Sequence, residues 1–454
     1  MKSTIEIDTN SKTLLNNIKN KNITVGIVGL GYVGLPLACE YASQGVQTIG
    51  FEVNQEKVDL LNAGNNYIED IDDDLVRNLT KTKRLIATAD FKEVSNCDAL
   101  IICVPTPFTE NKEPDISFIL NATKSISDNM KKGTVVILKS TTFPGTTEKF
   151  VMPILIKNES NNSLREIEKD FYLAFSPERI DPGNKKWNTK NTPIAVGGVT
   201  PICTKIAAAV INIAVEKVIE VSSPTIAEME KLLENIFRSV NIALVNELAK
   251  LCDRIGVNIW EVIDAAATKP FGFMPFYPGP GIGGHCILID PYYLEWMARE
   301  YDFVTNFITL AAETNEDMPF YVRDMVIKEI AKQPVSYSTA KILILGMAFK
   351  KNVSDLRHSP ALKVFELLDL EGIKNIDYYD PYIPKVNVNS NTINSISEIN
   401  SSVIESYDII LITTDHSVFD FDMIAKSSKI VIDTRNSCKN AENRDNIVLL
   451  GDGK

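Results

Sequence analysis

Gly29-Leu30-Gly31-Tyr32-Val33-Gly34 follows directly on an apolar run beginning at Ile23 and opens a second apolar stretch of helical character. Another apolar run, Val46 to Phe51, then ends at Glu52. Strand, glycine turn, helix and strand form a β-α-β unit, and this context is what gives a G-x-G-x-x-G its meaning. Without Cβ atoms the backbone turns tightly and approaches a pyrophosphate, whose charge faces the free N–H groups of the helix N-terminus. Pro36 fits, because early helical positions need no donor. A carboxylate at Glu52 accepts hydrogen bonds from ribose hydroxyls and repels a 2'-phosphate, so the pattern predicts NAD rather than NADP. The candidate cofactor residues are therefore Gly29, Gly31, Tyr32, Val33, Gly34 and Glu52. Lys57 either reaches the adenosine end or is a solvated helix lysine. A glycine turn packed on its sheet, with no ligand, is the plain structural alternative.

The 454 residues correspond to about three domains at roughly 150 residues each. Further apolar runs lie at 98–104, 134–140, 171–176 and 217–222. They are continuous rather than alternating, which predicts strands buried on both faces, as in a parallel sheet. From Thr225 the pattern changes. Ile226, Met229, Leu232, Leu233, Ile236, Phe237, Val240, Leu244, Val245, Leu248 and Leu251 recur at three- and four-residue steps, predicting one amphipathic helix of about 45 Å. Thr225 and Glu228 have the spacing of a capping box, Gly256 reads as the stop, and a helix of this length suits a subunit interface. Strand, loop and helix alternate again from about Lys341, without a glycine fingerprint. The expected fold class is α/β: a Rossmann NAD-binding domain over 1–222 with a short N-terminal extension, a central helical, dimerising and catalytic-loop region over 223–335, and a second, Rossmann-like α/β domain over 336–454.

A net charge of -12, with no run of Lys and Arg, argues against nucleic acid as a partner. The seven cysteines are odd in number and contain no C-x-x-C pair, which favours a reducing compartment over disulfides or a zinc site. No apolar run reaches the ~18 residues of a membrane span, and the opening MKSTIEIDTNSK is too polar for a signal peptide. The expectations are a cytoplasmic protein, no membrane, no metal, and a homodimer or higher homo-oligomer.

Gly279-Pro280-Gly281-Ile282-Gly283-Gly284-His285-Cys286 puts a thiol at the end of a glycine-rich loop, just before a helix expected to begin around Asp290-Pro291. Structural cysteines prefer apolar helices and strands, as Cys39, Cys103 and Cys252 appear in this sequence, whereas a helix N-terminus lowers a thiol pKa and makes it nucleophilic. With only three histidines and no ligand spacing among them, His285 reads as an ordinary loop residue. Asp290, before Pro291, reads as an N-cap, as a group orienting water beyond the thiol, or as both. Lys231 and Asn235, four apart, share a helix face and either address one site or are simply solvated.

These residues, with the strings GIVGLGYVGLPLA, CVPTP, KSTTFPGTTE, SPERIDPG, EMEKLLENIFRSVNIALVNELA, GPGIGGHCILIDPYYL, GMAFKKNVSDLRHSPA and DTRN, resemble the UDP-glucose/GDP-mannose dehydrogenase family over nearly the whole chain after residue 22. The resemblance implies an N-terminal NAD domain, a helical dimerising middle and a C-terminal domain holding the nucleotide diphosphate of a UDP-sugar. By position it implies Cys286 as nucleophile, Lys231 and Asn235 as oxyanion stabilisers and substrate contacts, and Asp290 with Thr141 and Glu178 around a catalytic water. Lys350 and Arg435 would hold the uridine diphosphate end, with Gly283, Phe276 and Tyr277 of the loop as further substrate contacts. Thr106 and Thr141 would line the cofactor, and Arg357 would reach it from the C-terminal domain.

The implied chemistry explains this inventory. Alcohol to acid removes four electrons, so two NAD are reduced in turn, and a thiolate that captures the aldehyde as a thiohemiacetal leads through a thioester to the acid. Ile289, His285 and Pro182 stand where the UDP-glucose enzymes typically carry lysine, a small residue and glutamate. Together with TKPFGFMPFYPGPG, they point to the branch acting on UDP-N-acetylhexosamines, UDP-N-acetyl-D-glucosamine first, for surface polysaccharide precursors. UDP-N-acetylmannosamine, UDP-N-acetylgalactosamine and UDP-glucose stay open. A two-electron hydroxyacid dehydrogenase, which needs Lys231 but no thiol, and a non-catalytic NAD-binding scaffold are the alternatives from other classes.

Overall fold

The computed structural model describes residues 8–454 apart from 69–70, 108, 110–112, 159, 161, 180–183, 185, 285 and 390, and it leaves the side chains of Cys286, Leu288 and Ile289 undescribed. Contacts divide the chain into two compact units: 1–234 with 296–302, and 235–295 with 303–454.

The first unit is built on an eight-stranded sheet. In chain order its strands are β1 (Thr24–Val28), β2 (Gln47–Phe51), β3 (Leu85–Thr88), β4 (Ala99–Ile102), β5 (Thr134–Leu138), and then, after the short hairpin β6 (Lys157–Asn158) and β7 (Ser163–Leu164), β8 (Phe171–Phe175), β9 (Ile194–Gly198) and β10 (Val218–Val221). Across the sheet they run β10-β9-β8-β5-β4-β1-β2-β3. All neighbours are parallel except β8 and β9. That one antiparallel junction corrects the all-parallel expectation; it sits where Gly197 and Gly198 let the backbone approach closely, since a Cβ on Gly197 would lie 2.0 Å from Ser223 O. Alternate residues serve opposite faces. Val25, Ile27, Ile101, Val135 and Ile137 join one buried cluster, while Val28, Leu100, Ile102, Val136 and Leu138 join another. Both faces are therefore dry, which explains the continuous apolar strings.

Helices α1 (Thr9–Lys19), α2 (Gly34–Ser43), α3 (Gln55–Asn62), α4 (Asp73–Lys81), α5 (Ser117–Asn129), α6 (Met152–Ile156) and α7 (Pro201–Ala214) belong to this unit. The helix α1 is the short extension ahead of the first strand; Asp8 caps it and Ser11 Oγ lies 2.8 Å from the Tyr172 hydroxyl.

The long helix is α8, Pro224–Ile255, and the division between units falls within it after Glu234. The expected capping box does not form. The Ser223 hydroxyl accepts from Ile226 N–H at 3.3 Å, while the Glu228 carboxylate accepts from Thr147 N–H at 2.9 Å, from the Thr147 hydroxyl at 2.7 Å and from Gly145 N–H at 2.5 Å. Thr225 donates to Glu148 at 2.7 Å. Tertiary partners thus take both side chains that the local spacing would have paired. Burial pushes the Glu228 carboxyl up, outweighing the hydrogen bonds that pull it down.

The helix α9 (Ile259–Ala267) lies in the second unit and α10 (Cys286–Ala298) runs from it into 296–298 of the first, and 268–284 before α10 contain neither helix nor strand. The helix after the thiol begins at Cys286, not at Asp290, and Pro291 lies inside it. Pro291 is early enough that only one intrahelical bond, to residue 287, is forfeited. The helix α11 (Asn306–Ala331) leads to a five-stranded parallel sheet of β11 (Lys341–Leu345), β12 (Asn375–Tyr379), β15 (Ile409–Ile412), β16 (Val431–Asp433) and β17 (Ile447–Leu449) in the order β12-β11-β15-β16-β17. The helix α12 (Pro360–Leu370) and a hairpin, β13 (Lys385–Val388) with β14 (Asn391–Asn394), accompany it. One cluster joins this sheet to Val245, Ala249 and Cys252 of α8 and to Trp260 and Ile263 of α9.

Candidate active site

In the first unit the glycine fingerprint forms a cradle at the carboxyl end of β1. Gly29 has φ +92°, a left-handed conformation that favours glycine, and a Cβ there would sit 2.8 Å from Cys103 O. A Cβ on Gly34 would meet Gly29 O at 1.8 Å, so the first turn of α2 requires its absence. Gly31 differs: nothing lies within 4 Å of its missing Cβ. That open ground beside a helix N-terminus suits a pyrophosphate. Val33 occupies the N-cap position of α2 and Tyr32 is exposed.

The Glu52 carboxylate accepts from Leu30 N–H at 3.2 Å and from Asn54 N–H at 3.1 Å, one bond per oxygen, which leaves lone pairs for a ribose diol. Lys57 on α3 places its ammonium 5.5 Å from the Tyr67 ring centre, so its stem lies along an aromatic surface. Thr106 is buried beyond the end of β4, and Thr141 is half-buried three residues past β5. Glu178, three residues beyond β8, is buried with its Oε2 3.1 Å from the Lys139 ammonium. Neighbouring Arg179 reaches Glu230 and Glu234 on α8.

Lys231 and Asn235 are both 7% exposed on one face of α8. They are not the solvated pair that spacing alone allows. Asn235 Nδ2 donates to Asp290 Oδ2, and Asp290, 1% exposed, stands in the second turn of α10, on the same helix whose first residue is Cys286. Asp290 therefore acts as a hydrogen-bonded interior carboxylate rather than as the expected N-cap. The thiol of Cys286, together with His285, Ile289 and Pro182, lies outside the described side chains.

The loop before Cys286 is held by residues that motif reading missed. Asn246 of α8 accepts from Gly279 N–H at 3.0 Å and donates to Asn315 Oδ1 at 2.9 Å; Asn315 of α11 donates to Ser239 O at 3.1 Å. All three side chains are buried. Gly284 N–H bonds to Arg357 O at 2.8 Å, and a Cβ on Gly283 would meet Phe349 at 2.6 Å, so glycines let the loop pass close to 349–358. Phe276 is half-buried against Phe237, ring centres 5.8 Å apart.

Tyr277 stacks on Trp260, 5.6 Å between centroids and 15° between planes. These rings wall a cavity of about 270 Å³ that Arg435, Asn436 and Lys439 also line. Arg435 Nε donates to Thr413 O at 3.0 Å, and the room for its guanidinium comes from Gly279, whose Cβ would lie 2.6 Å from Nη1. Aromatic rings beside two cations suit a base and a diphosphate. Arg357 forms a bidentate pair with Asp355, Nη2 to Oδ2 2.6 Å. Lys350 is half-buried in the turn after β11. Among the described residues no group of three or more His, Cys, Asp or Glu side chains is arranged to hold a metal, and no helix is long and apolar enough to cross a membrane.

A glycine cradle at a helix N-terminus with a carboxylate placed for ribose hydroxyls defines a dinucleotide-binding protein of the Rossmann class. Models of the UDP-glucose/GDP-mannose dehydrogenase family match over the NAD binding domain at 23–215, the central domain at 225–317 and the UDP binding domain at 343–440. The chain belongs to this family and is an NAD-dependent nucleotide-sugar dehydrogenase. It is 34% identical to the UDP-N-acetyl-D-glucosamine 6-dehydrogenase of Pseudomonas aeruginosa, over 88% of this chain and 92% of that one. It is 36% identical to an NDP-N-acetyl-D-galactosaminuronic acid dehydrogenase of Ralstonia nicotianae, over 91% and 95%. The solved UDP-D-ManNAc dehydrogenase of Pyrococcus horikoshii superposes with a TM-score of 0.84 at 33% identity, covering 95% of this chain and all of that one.

Proposed function

We propose that the enzyme oxidises the C6 hydroxymethyl of a UDP-N-acetylhexosamine, UDP-N-acetyl-D-glucosamine foremost, to the uronate in two successive steps, as a cytoplasmic homodimer supplying surface polysaccharide precursors. The observation that carries this reading is the buried row on α8. A nearly buried ammonium at Lys231, and a carboxamide at Asn235 bonded to the buried Asp290 carboxylate, are costly to desolvate, and fold stability alone gives little reason for them. Lys231 and Asn235 stabilise the alkoxide and the tetrahedral adducts as negative charge develops on oxygen. Cys286, as thiolate, bonds to the aldehyde carbon, so the intermediate does not leave as a free aldehyde. NAD, when bound, accepts a hydride at each oxidation.

Thr141, Glu178 and Asp290 surround the hydrolytic water. Gly29, Gly31, Tyr32, Val33, Gly34, Glu52, Lys57 and Thr106 form the cofactor site with Thr141 and Arg357. Lys350, Arg435, Phe276, Tyr277 and Gly283 grip the UDP-sugar. UDP-N-acetyl-D-galactosamine, UDP-N-acetyl-D-mannosamine and UDP-glucose are the competing substrates; one relative's name carries NDP-N-acetyl-D-galactosaminuronic acid and another's UDP-D-ManNAc. The deciding experiment measures NADH per sugar consumed for each UDP-sugar, with Cys286→Ala alongside. Two NADH per UDP-N-acetyl-D-glucosamine and an inactive variant are expected; one NADH, or full activity without the thiol, overturns the proposal.

A further inference from the structure

Trp260 and Asp264 stand four residues apart on one face of α9, and both hold Tyr277: the indole stacks on its ring, and the Asp264 carboxylate accepts from its hydroxyl at 2.8 Å. The aromatic wall of the cavity near Arg435 is therefore as well placed as α9 itself. The start of α9 is fixed from outside the helix. Asn258 caps it, accepting from Trp260 N–H at 2.9 Å and from Glu261 N–H at 3.3 Å. Ile259 N–H, which has no partner within the helix, donates to Gly451 O at 2.8 Å. The Trp260 indole N–H donates to Leu450 O at 2.8 Å. Two consecutive carbonyls of one segment thus fix both the backbone of α9 and the ring that walls the cavity.

That segment is anchored in turn. Leu450 extends β17: its N–H donates to Asp433 O at 3.0 Å, two residues before Arg435, which lines the same cavity. Asp253 of α8 accepts from Gly451 N–H and from Gly453 N–H, both at 3.2 Å and one on each oxygen, and from the Tyr321 hydroxyl of α11 at 2.5 Å. Gly451 and Gly453 have φ +79° and +76°, and a Cβ would lie 2.6 Å from Ile259 Cγ2 on the first and 2.3 Å from Val257 N on the second. In this left-handed conformation two N–H groups face one carboxylate while the backbone stays close against α8 and α9. The fully buried Leu450 side chain already ties the segment to the core, but apolar burial has no direction. The bonds to Asp253 supply it.

We propose that residues 450–453 form a strap, fastened by Asp253, that positions Trp260 and Tyr277 relative to Arg435 for binding the nucleotide end of the substrate. The inference rests on the grip of UDP by Tyr277 and Arg435 proposed above. Asp253 is a positioning residue: it does not line the cavity, and it acts through Leu450, Gly451 and the first turn of α9. The strap links the two parts of the site, since Leu450 bonds at once to the strand that leads to Arg435 and to the ring that stacks on Tyr277. A wall fixed before UDP arrives loses little freedom on binding, so the strap raises affinity without touching the ligand.

The test measures the affinities of the full-length enzyme for UDP and for NADH by calorimetry. Asp253→Ala should weaken UDP roughly tenfold and leave NADH, whose glycine cradle lies in the first unit, within about twofold of the wild type. Trp260→Phe keeps an aromatic ring and removes only the indole N–H bond to the strap, and it should weaken UDP several-fold. The double variant should bind UDP no more weakly than the weaker single one, because both changes cut one chain of contacts. Unchanged UDP affinity in either single variant, parallel losses of UDP and NADH, or multiplied losses in the double variant overturn the inference. Trp260→Phe decides alone if Asp253→Ala does not fold. An Arg435→Met variant that binds UDP as tightly as the wild type overturns instead the reading of this cavity as the nucleotide site, so the two failures are distinguishable.

Discussion

Asp380 and His416 meet inside the core of the second unit, Oδ2 to Nε2 at 3.0 Å, and neither side chain has any solvent exposure. Asn352 N–H donates to His416 Nδ1 at 3.0 Å, which assigns the neutral tautomer with its hydrogen on Nε2, donating to Asp380. The same carboxylate accepts from Met347 N–H at 2.6 Å, Ala348 N–H at 2.9 Å and Tyr382 N–H at 2.8 Å. The pair therefore pins both ends of the turn that carries Lys350.

Burial pushes the Asp380 carboxyl up, but the hydrogen bond from His416 and those from the backbone N–H groups outweigh it and hold the group below the usual carboxylate range. A depressed carboxyl stabilises the fold above its unfolded pKa of about 3.9, and that stability is lost as pH falls through the folded value. Asp380→Asn should cost on the order of 3 kcal/mol at pH 7. It should also remove part of the wild type's loss of stability below about pH 4. Urea unfolding at pH 7 and across the acid range checks both.

Gly31 and Gly34 should respond to alanine in opposite ways. At Gly34 the new methyl would meet backbone at 1.8 Å and the turn must open, so Gly34→Ala should lose both thermal stability and cofactor binding. Gly31→Ala adds its methyl to open space, so its unfolding midpoint should stay within about 1 kcal/mol of wild type while NADH binding, read by fluorescence, weakens roughly tenfold or more. Equal effects on stability would remove the argument that Gly31 marks the pyrophosphate ground.

Asn235→Asp would set two carboxylates against each other where an amide now donates to Asp290. One of the pair must then keep a proton, with its folded pKa raised above the unfolded one. A raised carboxyl stabilises the fold below the unfolded value and loses that contribution as pH rises. The variant should therefore be close to wild type near pH 4 and destabilised by about 1–3 kcal/mol at pH 8. Turnover should be lost at both pH values. A pH-independent stability difference would contradict the buried contact.

Much of the architecture was legible because it rests on local period. The glycine fingerprint marks the junction of β1 and α2, and the three- and four-residue steps mark α8 at nearly its observed bounds. Strand β9 was missed because it is short, ends in two glycines and runs antiparallel to β8. The Thr225–Glu228 spacing misled because a capping box and a pair of tertiary anchors look the same in sequence. Asp290-Pro291 misled because proline, normally a first-turn residue, is tolerated one turn into α10. Asn246 and Asn315, 69 residues apart, meet only through packing of two helices, and a buried Lys139 is written with the same letter as a solvated one.

The long helix shows two apolar faces. Leu232, Ile236, Val245 and Ala249 are buried, whereas Leu233, Phe237, Leu244, Leu248, Leu251 and Ile255 are between 36% and 59% exposed. The exposed set recurs at helical spacing along most of α8, and contiguous apolar ground of this kind marks an interaction surface. A second copy of the chain fits it, since two like ridges are self-complementary about a twofold axis and each buried leucine contributes roughly 1.5–3 kcal/mol. The wild type should therefore elute at twice 50.5 kDa. Leu244→Glu with Leu251→Glu should elute as a monomer at micromolar concentration, because each introduced carboxylate would have to be desolvated in the pairing without a partner. Sedimentation of both proteins decides the matter: a monomeric wild type, or a doubly substituted variant that still pairs, would move the interface away from this face of α8.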